Sequence, residues 1–181
     1  MKRRVFLQLP LAAAALTSDA PPLAAQPAGK GLLVKAGADR DAKPFKWLDA
    51  IFHVKLSGKD CGGRCVIFDT LRPEKVGPPL HLHTDCDEWF FVREGDFTFQ
   101  VGGEILRLTA GDSLLAPQNT PHAFVKTSEG TARLIVMHQP AATMEEYFRS
   151  VIATADQTVE GRRALAEKHG MRILGDGLKA D

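Results

Sequence analysis

The hydrophobic and polar positions follow a short β-type pattern from Trp47 to Pro140 and a helical pattern after it. In the first region, apolar runs alternate with turn residues at roughly regular intervals, which is typical of strands. Residues 97–101 alternate apolar with polar side chains, as a strand with one buried face does. The pattern predicts strands at 50–56, 65–71, 88–92, 97–101, 104–108, 113–116, 122–126 and 132–138, and a short strand near 32–35.

Beyond Pro140, apolar side chains recur every three or four residues, which predicts two helices. The first is indicated by Met144, Tyr147, Phe148 and Val151. Thr143 is placed to cap it, and the second helix, about 159–169, is expected to end at Gly170. So many short antiparallel strands predict an all-β sandwich or barrel with a C-terminal helical extension. The helices are expected to cover an open edge or end of the barrel.

Composition is that of an ordinary globular domain. The 181 residues, 44% hydrophobic and 25% charged, are enough for one core and argue against disorder or a membrane bundle. The formal charge of +1 gives no reason to expect nucleic acid or an acidic membrane surface as partner. A small-molecule substrate suits that balance, and exposed sheet edges favour a homodimer.

The N-terminus differs from the rest of the chain. Basic residues at 2–4 precede an apolar run over 5–16, and small residues stand at 24 and 25. The run is too short for a permanent membrane helix, so a removed signal peptide is predicted, with an uncleaved amphipathic start as the alternative. Arg3-Arg4-Val5-Phe6-Leu7-Gln8 resembles a twin-arginine export signal, which implies a periplasmic or secreted protein. The predicted organisation is a signal peptide (1–25), an N-terminal arm (26–46), a β-barrel (47–140) and C-terminal helices (141–181).

Three cysteines lie outside this segment. Cys61 and Cys65 bracket a glycine turn, where an oxidising compartment would permit a disulfide; two free thiols are the equal alternative. Cys86 is left over in either case. Its position in a loop between Asp85 and Asp87 is interpreted as that of a surface thiol beside solvated charges.

Two segments carry candidate metal ligands. His81 and His83 are two residues apart, so on a strand their imidazoles project from one face. Glu88 follows a short loop and can supply a carboxylate from the next strand. A sharp turn at 117–121 would deliver His122 inward. Three imidazoles and a carboxylate can hold one divalent transition metal and leave positions open for catalysis.

These segments resemble the paired motifs of the cupin superfamily: a Gly, then His-x-His, a Glu after four residues and a Gly after six more, followed downstream by Gly, Pro and a final His. The resemblance covers residues 50–140. It implies a double-stranded β-helix, or jelly-roll, barrel in which His81, His83, Glu88 and His122 fill all four metal positions. Residues 140–148 also resemble bacterial one-domain cupins grouped with quercetin dioxygenases.

The chain departs from the pattern at three positions. Gly77 is separated from His81 by three residues, where five are usual, and Lys126 replaces a common Asn. Asn119 stands where glycine is common, although Asn can also adopt the left-handed conformation.

The resemblance implies a quercetinase-like dioxygenase acting on a small phenolic or enolic substrate. Glu88 would accept the substrate's hydroxyl proton, and the three histidines would be ligands only. A metal-dependent lyase or isomerase and a non-catalytic binding cupin are the alternatives, because fold alone does not fix function. The ligand set admits Mn, Fe, Co, Ni, Cu or Zn. Folding before export would favour Mn or Fe.

The remaining histidines and aromatic residues have simpler interpretations. His53, His138 and His169 are interpreted as hydrogen-bonded core or surface residues, although His138 ends a strand that could border the cavity. The aromatic run 89–91 is interpreted as core packing, with a substrate wall as the alternative.

Overall fold

The computed structural model describes residues 30–180. The predicted signal peptide lies outside the described residues. Contacts divide the chain between residues 32 and 33, and all the strands and helices of the described part belong to the second unit. Neither of those helices has the length and apolar character needed to span a membrane.

The described chain forms strands and two late helices. The strands are β1 (Phe45–Trp47), β2 (Ala50–Leu56), β3 (Val66–Arg72), β4 (Leu80–His83), β5 (Asp87–Glu94), β6 (Phe97–Val101), β7 (Glu104–Leu108), β8 (Ser113–Ala116), β9 (His122–Lys126), β10 (Ala132–Gln139) and β11 (Met171–Gly175). The helices are α1 (Met144–Ala153) and α2 (Val159–Lys168).

The strands form two antiparallel sheets. One sheet has the order β1-β2-β3-β10-β5-β8, and the other has the order β11-β4-β9-β6-β7. Alternate residues of both sheets meet in one buried apolar cluster, which includes Phe52, Phe68, Phe90 and Phe99. The all-β prediction with a C-terminal helical extension is confirmed.

Two local predictions are wrong. Residues 32–35 are not a strand, because no neighbouring strand pairs with them. In contrast, β11 was not predicted, although it pairs with β4, the strand that carries His81 and His83. Its five residues have no strong alternation of their own. The free edge of β4 supplies the hydrogen-bonding partner that makes them a strand.

Helix α1 packs against the larger sheet through Phe148. The centroid of its ring lies 5.0 Å from that of Phe52, 5.3 Å from Phe68 and 5.2 Å from Trp47. Thr143 is the N-cap residue of α1 as predicted, but its side chain makes no capping hydrogen bond within the described chain. Its hydroxyl instead lies 2.9 Å from Nδ1 of His169, at the end of α2.

Gly77 permits a close approach between the segment before β4 and strand β9. A Cβ atom at this position would overlap the carbonyl oxygen of Phe124. The clash is with backbone, so no side-chain rotation can relieve it.

We predict that Gly77→Ala destabilises the protein by about 3 kcal/mol or more, because β9 must shift. Gly103→Ala is the matched control, since a Cβ there meets nothing within 4 Å, and it should cost less than about 0.5 kcal/mol. Urea unfolding followed by tryptophan fluorescence measures both. Equal stabilities for the two variants would contradict the close approach.

Candidate metal centre

The four predicted ligands come together between the two sheets. His81 and His83 lie on β4, and His122 lies on β9, where it is the strand partner of His81. Glu88 enters from β5 in the opposite sheet. All four side chains are buried, and one ligand atom from each lies within 4.8 Å of the others. This cluster is able to hold a metal ion.

Glu88 is at the centre of the cluster. Its Oε2 atom lies 2.8 Å from Nε2 of His122, 3.0 Å from Nε2 of His83 and 3.8 Å from Nε2 of His81. Three imidazole nitrogens therefore face the same carboxylate oxygen. Nitrogen and oxygen donors in this combination suit a first-row divalent ion.

Backbone carbonyls orient two of the imidazoles. Nδ1 of His81 lies 2.8 Å from the Pro79 oxygen, and Nδ1 of His122 lies 2.9 Å from the Thr120 oxygen. A carbonyl oxygen only accepts, so each Nδ1 carries a hydrogen, and in the neutral form of each ring the lone pair is on Nε2, towards the cluster centre. The residues present therefore fit a metal.

Burial and mutual contact determine the charges of the cluster. Burial lowers the pKa of His81 to about 3, and the neighbouring His122 and His83 contribute to the shift, so this ring is neutral. Burial alone would raise the pKa of Glu88, but contacts with His138, His122 and His83 outweigh it and hold that pKa well below its ordinary value. The centre therefore offers an ionised carboxylate and a neutral His81 ring.

The turn that delivers His122 is held by two hydrogen bonds that backbone amides donate. The Asn119 amide donates to the His83 carbonyl oxygen at 2.8 Å, with Asn119 at the left-handed φ of 62°. The Gln118 amide donates to Oδ1 of Asp87 at 2.8 Å. Asp87 is thus a half-buried structural acceptor and not the solvated charge that was expected. These bonds tie the two ligand-bearing segments together.

His138 also belongs to the site. From the sequence it was interpreted as a hydrogen-bonded core or surface residue on a strand that could border the cavity. It is fully buried on β10 opposite Glu88, and its Nε2 lies 3.4 Å from Oε1 of Glu88. Its ring centroid is 5.1 Å from that of His83. Within residues 30–180, neither ring nitrogen has a hydrogen-bond partner. The pairing of β5 with β10 brings it to Glu88, and its place at the end of an inward-alternating strand was the available signal.

The cavity beside the cluster is small and enclosed by apolar side chains. Its volume is about 20 Å³, enough for about one water molecule. The lining includes four aromatic rings, one cation and three of the four ligands: Trp47, Phe52, Phe124, Phe148, Arg72, His81, His83 and Glu88. A larger groove of about 390 Å³ lies between residues 57–63 and α1, away from the metal-ligating cluster.

The aromatic run 89–91 does not line this cavity. Phe90 belongs to the core as expected. Trp89 and Phe91 are only half-buried and stack on each other, with ring centroids 6.0 Å apart. The core interpretation is therefore wrong for these two, because strand alternation turns them to the opposite face from Phe90.

The cysteines also differ in part from expectation. Cys86 is 2% exposed and belongs to the core, so the surface-thiol interpretation is wrong. Burial raises the pKa of its thiol to about 12, assisted by Glu88, Asp85 and Asp87. Cys61 and Cys65 are free thiols, and the Cys61 sulfur contacts the Cys65 carbonyl oxygen at 3.2 Å.

The geometry agrees with a family match. Residues 68–138 match the cupin domain. This range contains all four clustered ligands, together with Arg72 and His138. The fold of KdgF from Halomonas sp. is also similar, with a TM-score of 0.52 at 18% identity, covering 62% of this chain and 94% of that one. The neighbours confirm the jelly-roll prediction.

Two further comparisons concern proteins with named activities. Quercetin 2,3-dioxygenase of Bacillus subtilis (strain 168) is 25% identical over 103 residues, which are 57% of this chain and 30% of that protein. The match thus spans less than a third of the relative's length. A predicted oxalate decarboxylase from Thermotoga maritima aligns with a TM-score of 0.48 at 16% identity, covering 50% of this chain and 80% of that one.

We predict that His83→Ala abolishes stoichiometric metal binding, because it removes one of the two imidazoles that β4 presents to Glu88. Elemental analysis of purified protein measures the metal-to-chain ratio. His53→Ala, on β2 and outside the cluster, should keep the wild-type ratio. A wild-type metal content in His83→Ala would show that the ion is not held by this cluster.

We also predict that His138→Ala lowers metal affinity by about ten- to a hundredfold while leaving the stoichiometry at saturation unchanged. The other three imidazoles face Oε2 of Glu88, whereas His138 lies beside Oε1. We therefore expect His138 to restrict the orientation of the carboxylate. Competition with a chromogenic chelator measures the affinity. His169→Ala serves as the control, since His169 contacts Thr143 instead. An unchanged affinity in His138→Ala would refute the positioning role.

Proposed function

We propose that this protein is a metal-dependent cupin dioxygenase acting on a small phenolic or enolic substrate. The observation that carries the proposal is the convergence of His81, His83, His122 and Glu88 within 4.8 Å, buried between two sheets. When bound, the metal would supply a Lewis-acid position at which an electron-rich substrate and dioxygen can meet.

The side chains of the cavity have separate tasks in this proposal. The three clustered imidazoles would hold the ion. Glu88 accepts the hydroxyl proton of the substrate on a carboxylate oxygen. Nε2 of His138 lies 3.4 Å from Oε1 of that carboxylate, and in this proposal it restricts how the carboxylate can rotate.

The wall of the cavity excludes water. Phe52, Phe124 and Phe148 surround the ligands together with Val136 and Met171. A dry wall of this kind suppresses hydrolysis and strengthens the electrostatic interactions inside it. The cavity of about 20 Å³ restricts the substrate to a compact molecule, or requires the side chains at its rim to move on binding.

The comparison that supports oxygen chemistry is the 25% identity to a quercetin dioxygenase. Because the match covers only 30% of that protein, its activity is proposed for this chain and not transferred to it. A second candidate is a metal-dependent lyase or isomerase acting on a small acid, which is favoured by the buried cation Arg72 in the same cavity. Requirement for oxygen separates the two reactions.

Export through the twin-arginine route and a homodimer stay predictions, as does the choice of metal. The nitrogen and oxygen donors at the site do not by themselves exclude Co, Ni, Cu or Zn. Mn or Fe is proposed because it fits folding and metal loading before export.

We predict that the metal-loaded protein consumes oxygen with a compact enolic or phenolic substrate, and that Glu88→Gln lowers turnover by about 10²- to 10⁴-fold at restored metal occupancy. The amide keeps the shape of the carboxylate but does not take up the proton. An oxygen electrode and product analysis provide the readout.

Glu94→Gln, at the exposed end of the same strand, is the control and should retain wild-type turnover. Turnover of the substrate under argon at the aerobic rate would replace the dioxygenase with the lyase or isomerase. Full activity in metal-occupied Glu88→Gln would remove Glu88 as the proton acceptor.

A further inference from the structure

A buried cation lies beside the metal centre. Arg72 is the last residue of β3, and its side chain is 2% exposed. It lines the same cavity as His81, His83 and Glu88. The position is set by strand alternation, since residues 66, 68, 70 and 72 all face inward while 67 and 71 face outward.

Within residues 30–180, no carboxylate lies within ion-pair distance of Arg72, and Asp49 and Glu88 act on it only at longer range. Its Nε donates to the Thr70 hydroxyl at 3.2 Å, and that hydroxyl in turn donates to the Leu134 carbonyl oxygen at 2.8 Å. The guanidinium carbon lies 4.7 Å from the ring centroid of Phe124 and 5.7 Å from that of Phe52. The stem and the plane of the guanidinium are thus fixed by packing.

One of the two outer nitrogens of Arg72 is buried and unsatisfied. Nη1 is buried and has no hydrogen-bond partner, and within residues 30–180 no carboxylate forms an ion pair with this guanidinium. The four arginines that do form ion pairs in the described chain are Arg40, Arg93, Arg133 and Arg149. A buried charge without a partner is costly, so such a group is seldom kept for packing alone.

The charge persists despite burial. Burial lowers the pKa of Arg72 to about 10, with Asp49 and Glu88 opposing the shift, so the group remains a cation at neutral pH. With a divalent ion in the cluster, Glu88 is the single carboxylate among the lining side chains. The filled cavity therefore has an excess of positive charge, which favours an anionic ligand.

We propose that Arg72 binds the carboxylate of the substrate, and that the substrate is a small anion carrying a carboxylate next to its enol or phenol oxygen. The second part rests on the proposed function, because it assigns the neighbouring oxygen to the metal centre. Arg72 is then a specificity-determining residue of the cavity. The guanidinium and a carboxylate are both planar, and the donor fork of the first matches the oxygens of the second.

The shape of the cavity favours a carboxylate over a bulkier oxyanion. About 20 Å³ is open beside the ligands, and the guanidinium faces it from between aromatic rings. A flat carboxylate on a two- or three-carbon skeleton requires less displacement of Phe52 and Phe124 than a tetrahedral phosphate ester would. Arg72 would bind the substrate in either candidate reaction, because it acts on substrate binding and not on the chemical step.

Calorimetric titration with two probes of nearly equal shape tests the proposal. Pyruvate carries a carboxylate beside an enolisable oxygen, and pyruvamide carries a neutral amide in its place. Metal-loaded wild-type protein should bind pyruvate about ten- to a hundredfold more tightly than pyruvamide. In Arg72→Gln this preference should fall to about threefold or less, whereas Arg72→Lys, which keeps the charge but not the fork, should retain part of it.

Arg93→Gln is the matched control. It removes one positive charge from the exposed outer side of the same sheet, where Asp69 keeps Arg133 as a partner, and it should leave the preference unchanged. Metal content and melting temperature of each variant verify that the site is intact. If Arg72→Gln fails to fold, the wild-type preference and its partial retention in Arg72→Lys decide the question.

The outcomes separate this proposal from the proposed function. Chelator-treated wild-type protein should still prefer pyruvate, because Arg72 belongs to the chain and not to the ion. An equal preference in wild type and Arg72→Gln would assign the carboxylate to the metal alone and overturn the proposal. Equal binding of both probes to the wild type would also overturn the proposal, even if oxygen uptake with neutral phenols supported the dioxygenase. If the wild type binds no metal but still prefers pyruvate in a way that depends on Arg72, the result supports the carboxylate-binding role of Arg72 and contradicts the proposed dioxygenase function.

Discussion

One carboxylate buried between two apolar sheets determines the organisation of this protein. Glu88 is 5% exposed, and burying an ionised group of this kind is costly unless positive or hydrogen-bonding partners surround it. Three imidazole nitrogens lie within 3.8 Å of its Oε2 atom, and His138 lies 3.4 Å from Oε1. A divalent ion at the centre of these donors would offset the remaining cost. The stability of the core and its chemistry therefore depend on the same few contacts.

The scaffold secures this arrangement from several sides. The smaller sheet supplies the paired imidazoles, the larger sheet supplies the carboxylate, and the turn before β9 is tied to both segments through Asn119 and Asp87. Gly77 lets the chain before β4 approach β9 closely enough for the pairing of His81 with His122. Helix α1 then closes the aromatic cluster through Phe148. Each element thus excludes water from a centre that would lose its electrostatic strength if it were wet.

The polar residues on the inner face of the larger sheet determine the charge of the cavity. Thr70 and Arg72 on β3, His138 on β10 and Glu88 on β5 all point inward. They place a cation without a partner in the same small space as the ligand cluster. A cavity of this composition favours compact anions, so the proposed substrate follows from charge and size together. The mechanism and the specificity then arise from one inner surface rather than from separate regions.

The sequence by itself determined the β-rich architecture, the bounds of most strands to within a residue or two, and the identity of the four clustered ligands, because each is encoded in local spacing: alternation for strands, His-x-His for one face, Gly and Pro for turns. It placed His138 on a strand that could border the cavity without assigning it to the site, and it did not reveal Arg72 or β11. On β3 the outward residues Ile67 and Leu71 are apolar while the inward Thr70 and Arg72 are polar, so hydrophobic patterning gives no sign that Arg72 is buried. His138 reaches Glu88 through the pairing of β5 with β10, and β11 forms on the free edge of β4. These features depend on which distant strands become neighbours, and only the tertiary structure decides that.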